Sequence, residues 1–239
     1  MHPQIRVRFR FFGELNQFLL PSRKNRTFFH AVNGNPSIKD TIEALGIPHT
    51  EVGKMFVNNR PVGFTYQLYD RDKIKIYPQG VVQRKIRPKF ILDVHLGKLV
   101  RHLRLLGFDS LYDSGFTDKQ IIKIALQEKR IIFTRDICLL KNKIIKWGYW
   151  VRSVIAAQQI KEVIRKFALA KQIKPFRLCL ECNGQIKQVP KAKIEAKLPL
   201  KVRQYYDKFY HCSACRKIYW QGSHYERLKK VIREAKKLS

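Results

Sequence analysis

The feature that most constrains this chain is a set of four cysteines in two pairs, Cys179-Leu180-Glu181-Cys182 and Cys212-Ser213-Ala214-Cys215. Two C-x-x-C knuckles supply four thiolates, the donor number and type of a tetrahedral zinc site. The stretch between them is longer than a compact module needs, so it is expected to hold a hairpin of its own. Two disulfides or a redox dithiol are the competing readings. A redox motif needs only one knuckle, and five cysteines leave an odd thiol. Zinc therefore ranks first. Four cysteine ligands leave no open position, so this metal is expected to fold the module and not to catalyse. The fifth cysteine, Cys138, sits in an apolar run and reads as a buried core thiol.

Charge narrows the partner. Among 239 residues there are 49 Lys and Arg against 18 Asp and Glu, a net charge of +31. The excess is +6, +11 and +14 over residues 1–80, 81–165 and 166–239. It rises along the chain but is interleaved with apolar residues, which make up 45%. That composition excludes a disordered tail and fits basic faces on folded domains that meet a polyanion. An anionic membrane surface would match the charge, but no amphipathic anchor is visible, and no apolar run reaches the roughly 18 residues of a membrane span. Met1–Arg8 alternates and lacks the apolar core of a signal peptide. A soluble, cytoplasmic protein is the expectation.

Periodicity changes along the chain. Gln4–Phe12 alternates apolar and basic residues, as a half-buried strand does. A strand at Thr27–Val32, a helix capped by Ser37, a hairpin of Lys54–Val57 and Arg60–Val62, and a last strand at Lys73–Tyr77 follow in order. A ubiquitin-like β-grasp over residues 1–80 is expected. The basic stretch Val82–Pro88 reads as a linker. Strands and helices then alternate over residues 88–172, which predicts a mostly parallel α/β sheet. In it, Thr117 caps a helix with Ile121, Ile122, Ala125 and Leu126 inward. Residues 175–239 hold the knuckles and end in a basic helix, with Ser223–Glu226 at capping-box spacing.

Three further constellations could carry chemistry. Asp93 follows the strand ending Ile91-Leu92, and Asp136 follows Ile131–Arg135. Either alone reads as a helix cap. Together, at the carboxyl edge of a parallel sheet, they make a divalent-metal site plausible. Asp118 reads as a first-turn helix acid and is a weaker candidate. Lys98, Arg101 and Arg104 recur every third residue on the helix after Asp93, opposite its leucine stripe. They form either a solvated face or a polyanion grip beside the acids. Tyr205, Tyr206, Phe209, Tyr210, Tyr219 and Trp220 interleave with cations around the second knuckle. Most are expected in the core of a zinc ribbon, with a few exposed to stack on unpaired bases.

Phe90–Asp93, Leu99–Asp109 and Phe133–Asp136 resemble the Mut-seven C-terminal RNase domain family. So do Cys179–Asn183, Cys212–Cys215 and Ile218–His224, while Gly46–Val52 resembles the ubiquitin-like domain often fused in front of it. The resemblance implies a PIN-like nuclease fold followed by a zinc ribbon. It also implies a metal-dependent ribonuclease, with Asp93, Asp118 and Asp136 as the acids around Mg²⁺ or Mn²⁺ and Thr134 as their polar neighbour. No fourth acid follows Asp136, where Ile137–Leu140 is apolar. A non-catalytic RNA-binding adaptor is the alternative. RNA, in single-stranded form, is the expected partner, held by Lys98, Arg101 and Arg104. Gly80 runs on into Val81 without a terminal Gly-Gly, so sulfur-carrier or conjugation chemistry is not expected of the first domain.

Overall fold

The structure is a computed structural model that describes residues 4–82 and 88–238. Most of the expected linker, residues 83–87, lies outside the described residues. In chain order the strands are β1 (Gln4–Phe11), β2 (Phe28–Asn33), β3 (Val52–Val57), β4 (Arg60–Pro61), β5 (Lys73–Pro78), β6 (Phe90–Leu92), β7 (Ser110–Leu111), β8 (Ile131–Thr134), β9 (Gly148–Trp150), β10 (Ile186–Val189), β11 (Phe209–Cys212) and β12 (Ile218–Trp220). The α-helices are α1 (Ile38–Ala44), α2 (Gly97–Leu105), α3 (Asp118–Glu128), α4 (Ile137–Leu140), α5 (Ala156–Lys166), α6 (Leu200–Tyr205) and α7 (Tyr225–Lys236). The chain forms two compact units, residues 1–82 with 134–150, and residues 83–133 with 151–239.

The first unit carries the β-grasp order. Its sheet runs β2-β1-β5-β3-β4, with β1 and β5 parallel and the other pairs antiparallel. Alternation decides the faces: Ile5, Val7, Phe9 and Phe11 of β1 are buried while the arginines between them turn outward. Ser37 caps α1 as expected, its Oγ accepting the Asp40 N–H at 3.1 Å. Ile38 and Ile42 of α1 complete the core with Ile74 and Ile76.

Residues 134–150 belong to this unit by their contacts. Glu51 is buried, and its Oε1 accepts the Trp150 N–H at 2.8 Å. The Trp150 ring lies 4.8 Å from that of Phe18, and His49 Nε2 is 2.7 Å from the Ile145 carbonyl. Asp136 caps helix α4, as its place before a helical segment leads one to expect. Cys138 on it is exposed, which corrects the expectation of a core thiol: the buried residues of this four-residue turn are Leu139 and Leu140.

In the second unit β6 is entirely buried and pairs in parallel with both β7 and β8. Phe90 stacks on Phe133 at 4.6 Å, and Phe167, beyond α5, closes on both rings. Helix α3 opens with a full capping box between Thr117 and Gln120. Leu126, expected inward, is 44% exposed, because the buried stripe of α3 is Ile121, Ile122 and Ala125. Strands β10-β11-β12 form a separate antiparallel sheet over Val189, Ile194, Leu198 and Phe209. The expected hairpin between the knuckles is the β10–β11 pair, and α6 lies within its connection. Helix α7 starts without the expected Ser223 cap: His224 stands at the N-cap with helical backbone angles and no side-chain cap bond.

The Glu51–Trp150 bond is a direct test of how residues 134–150 are held. Glu51→Ala leaves a part-buried N–H without that acceptor, which costs roughly 1–3 kcal/mol. A lowered thermal midpoint and faster proteolytic cleavage within residues 134–150 are expected. Unchanged values would mean that the segment is held by other contacts.

Candidate functional site

The four cysteines converge. Their sulfurs all lie within 4.8 Å of one another. The nearest pairs link the two knuckles, Cys179 to Cys215 at 3.6 Å and Cys182 to Cys212 at 3.4 Å. Disulfides would need about 2.05 Å, and all four cysteines are free thiols. Tetrahedral zinc with Zn–S near 2.3 Å sets sulfurs about 3.8 Å apart, so the spacing fits a closed metal site.

Both knuckles are built alike. The Cys179 N–H donates to the Gly184 carbonyl at 2.7 Å, and the Asn183 N–H donates back to the Cys179 carbonyl at 3.1 Å. In the second knuckle the Cys212 N–H donates to Lys217 at 2.9 Å and the Arg216 N–H to Cys212 at 3.1 Å. Asn183 and Arg216, each just after the second cysteine of its knuckle, share the left-handed backbone, with φ of 68° and 59°. Gly184 allows the knuckles to meet: a Cβ there would sit 2.8 Å from Cys212 Sγ and 2.9 Å from the Ala214 Cβ.

The sulfurs compete for charge. Burial pushes the Cys179 thiol up, but the Tyr219 hydroxyl at 3.0 Å and the N–H groups of Cys182 and Glu181 outweigh it and bring it down to about 6. Cys215 is pushed up to about 12: the Lys217 N–H favours its thiolate, yet burial and the neighbouring sulfurs prevail. Four thiolates at this range repel one another unless a cation sits between them, so the donor set suits a thiophilic divalent ion.

The first knuckle is anchored on the parallel sheet by side chains that the sequence reading placed elsewhere. Arg104 was expected to bind RNA. It is buried, its Nε donating to the Ser110 carbonyl at 2.9 Å and its Nη1 to the carbonyls of Leu180 and Glu181. The reason is helical geometry: two steps of three residues rotate the side chain by roughly −120°, from the exposed Lys98 into the core. Asn183 continues the junction, its Oδ1 accepting the Ser110 N–H at 3.1 Å and its Nδ2 donating to Asp109 at 2.7 Å. Asp109 takes the Arg130 fork at 2.7 and 3.2 Å. Burial tends to raise the Asp109 pKa, and Arg130 with Asn183 holds it below the usual carboxylate range. Asn183, Asp109 and Arg130 were not singled out as partners by sequence; only the resemblance motifs contained the first two.

The candidate acids stand at three element ends. Asp93 follows β6, is 5% exposed, and accepts the His95 N–H at 2.9 Å as it caps a short 3-10 turn. Asp118 is the exposed first residue of α3. Asp136 is exposed and caps α4, accepting the Cys138 N–H at 2.7 Å. The buried Thr134 presents its Oγ1 to the Asp136 N–H at 2.7 Å. Asp93 and Asp118 belong to the second unit, Thr134 and Asp136 to the first. Among the described residues the cysteines are the only group of three or more His, Cys, Asp or Glu drawn together tightly enough to hold an ion.

Val94 and His95, directly after Asp93 in the chain, line an open cleft of about 590 Å³ within the second unit, whose walls also include Lys98, Arg101, Arg104, Tyr112 and Gln159. Arg101 pairs with Glu181 at 2.9 Å, and Lys217 reaches the same carboxylate at 2.9 Å. Lys217 and Arg101 together hold the Glu181 carboxyl below its ordinary range against a modest opposing effect of burial. Of the aromatic set, Phe209 is buried, Tyr205 is 77% exposed, and Tyr206 and Trp220 pack against the core of the antiparallel sheet.

The Mut7-C RNAse domain family matches residues 88–232, and the Mut7-C ubiquitin family matches residues 4–84. No curated protein matches the chain. Two solved structures share a small part of it. One is small archaeal modifier protein 1 of H. volcanii, 13% identical, covering 31% of this chain and 97% of that one, with a TM-score of 0.25. The other is a "putative molybdopterin converting factor, subunit 1" from Pyrococcus furiosus, 18% identical, with the same coverages and a TM-score of 0.25. With the RNAse-domain match spanning more than half of its length, behind a ubiquitin-like region, this chain belongs to the Mut7-C RNAse domain family.

Proposed function

We propose that the chain is a metal-dependent ribonuclease whose acids are Asp93, Asp118 and Asp136, with Thr134 orienting the last of them. The observation that carries the reading is the position of Asp93. It stands at the carboxyl end of the central parallel strand, directly before Val94 and His95 of a cleft walled by Lys98 and Arg101, inside the segment matched by an RNAse family. Open α/β sheets place their sites at that edge. The carboxylate donor set suits hard cations such as Mg²⁺ or Mn²⁺. When bound, such an ion activates water and offsets charge on the leaving oxygen. Lys98 and Arg101 hold the phosphate chain, and Tyr112 on the same wall offers a ring to a base. In this reading the substrate is single-stranded RNA, whose unpaired bases are free to stack on a ring such as Tyr112.

The division of labour follows. Residues 1–80 form a ubiquitin-like β-grasp, residues 88–172 a PIN-like nuclease domain, and residues 175–239 a zinc ribbon with a basic helix. The zinc is structural, and the knuckle geometry supports it. No described helix is long and apolar enough to cross a membrane, and the proposed setting is the cytoplasm.

Purified protein is expected to carry one zinc per chain, measured by elemental analysis. Metal binding in small modules is worth about 10 kcal/mol or more, so chelation should expose residues 176–222 to protease. Cys182→Ala should lose the metal and Cys138→Ala should keep it. Metal-free protein that remains folded with four free thiols at these positions would exclude a zinc module.

For catalysis, Asp93→Asn keeps the cap and the size of the side chain while removing the charge. Mn²⁺-dependent cleavage of an unstructured RNA is expected to drop by on the order of a hundredfold or more, with little change in thermal midpoint. Asp136→Asn should match it, and Asp118→Asn should show the same direction. Cleavage by the Asp93→Asn/Asp136→Asn protein at the unsubstituted rate would sink the site. No cleavage by the unsubstituted protein with either metal would leave an RNA-binding adaptor.

A further inference from the structure

The outer face of the β-grasp sheet has no role in the ribonuclease reading, yet it gathers like charge on adjacent strands. Arg6, Arg8 and Arg10 project from β1 on the side opposite its buried residues. The parallel register places Arg8 beside Lys73 and Arg10 beside Lys75 of β5. Like charges directly opposite each other destabilise a sheet. Here two such pairs stand side by side on one face.

Aromatic rings flank this stripe of cations. On one side, Phe29 of β2 sits opposite Arg8, 54% exposed, with the Arg6 guanidinium 4.1 Å from its centroid. On the other, Phe12 and Tyr77 stack at 4.4 Å with their planes 4° apart, and Phe56 meets Tyr77 edge-on at 5.9 Å. Between Arg6, Arg8, Phe29, Arg71 and Lys73 lies a shallow cleft of about 410 Å³. Asp70 is the acid on its wall. That carboxylate accepts the Arg6 backbone N–H at 2.8 Å and lies 3.5 Å from Arg71.

We infer that this sheet face is a second binding surface for single-stranded RNA, separate from the cleft walled by Lys98 and Arg101. Successive outward residues of a strand recur about every 6.6 Å, so the three arginines form a regular cationic track along β1. Cations that track a backbone, with exposed rings that stack on bases, are the combination by which sheets hold single strands without reading sequence. A polyanion also neutralises the like-charge pairs, in which Arg10 and Lys75 bond neutral groups, the Asn25 carbonyl and the Asn59 side chain. An acidic protein segment would answer the charge but would leave the exposed Phe29 ring and its stacked arginine without a planar partner. The inference deepens the proposed function, since it rests on RNA as the substrate, but it does not depend on cleavage.

The test is equilibrium binding of the full chain to a fluorescent oligouridylate without added Mg²⁺ or Mn²⁺, read as anisotropy over a range of salt. Arg6→Gln/Arg8→Gln/Arg10→Gln removes three cations and relieves the like-charge pairs, so its thermal midpoint should hold or rise. With about 0.7 counterion released per phosphate contact on single strands, the slope of log affinity against log salt should shrink by about 2. Phe29→Ala should weaken binding about tenfold through lost stacking, and Phe29→Trp should restore it. Photo-crosslinking with 4-thiouridine should mark peptides of β1 or β2. A triple-Gln protein with unchanged affinity and salt slope would overturn the inference, as would crosslinks confined to residues 88–238. Failure of the ribonuclease reading looks different: the unsubstituted protein would bind RNA through this face and cleave none.

Discussion

Arg104 is the contact on which the arrangement of the second unit depends. A guanidinium presents several donors in a fixed plane, and this one meets carbonyls from two separate parts of the chain, Ser110 beside the parallel sheet and Leu180 and Glu181 in the first knuckle. Burial weakens its hold on the proton, and the charges of Cys179, Cys182, Glu181 and Asp109 work against that effect. A buried cation is tolerated only where its donors are matched. The matching groups are backbone carbonyls in the turn that carries Cys179 and Cys182, so the same contact that satisfies Arg104 fixes the geometry of half the four-cysteine cluster. Asn183 and the Asp109–Arg130 pair extend the junction down to the Phe90 carbonyl on β6.

Electrostatics runs through both units with opposite local solutions. Around the cysteines negative charge is concentrated, and the conflict between Cys179 and Cys215 is of the kind a divalent cation resolves. On the β-grasp sheet positive charge is concentrated, and Arg8 beside Lys73 is a conflict of the opposite sign. The first joins a buried sulfur, Cys179, to an exposed one, Cys215. The second faces solvent, where salt screens it until an anion arrives.

Much of this was legible in the sequence because short-range periodicity carries it. Alternation in Gln4–Phe11 assigns inward and outward residues directly, and the Ser37 and Thr117 caps mark helix starts whose side-chain bonds are present. The cysteine spacing likewise predicts convergence, since each knuckle is a local turn. Less visible was any role set by rotation or by long-range packing. Lys98, Arg101 and Arg104 look equivalent at a spacing of three, but the helix turns the third into the core. Cys138 lies in an apolar run, yet a turn of α4 rotates it outward while Leu139 and Leu140 pack. Ser223 has capping-box spacing, but His224 already has helical angles and the cap does not form.

The sequence by itself determined the strand faces of the β-grasp, the parallel α/β alternation that follows it, and the two cysteine knuckles, because each rests on contacts between residues near in the chain. Only the tertiary structure decided that Arg104 is buried on the carbonyls of Ser110, Leu180 and Glu181, and that residues 134–150 pack with the first unit through Glu51 and Phe18. It also decided that Arg8 and Arg10 stand beside Lys73 and Lys75. The physical reason is common to these cases. A side chain's partners are set by register and by helix rotation relative to distant segments, and a linear pattern of charge or apolarity does not encode which distant carbonyl, ring or cation will be opposite.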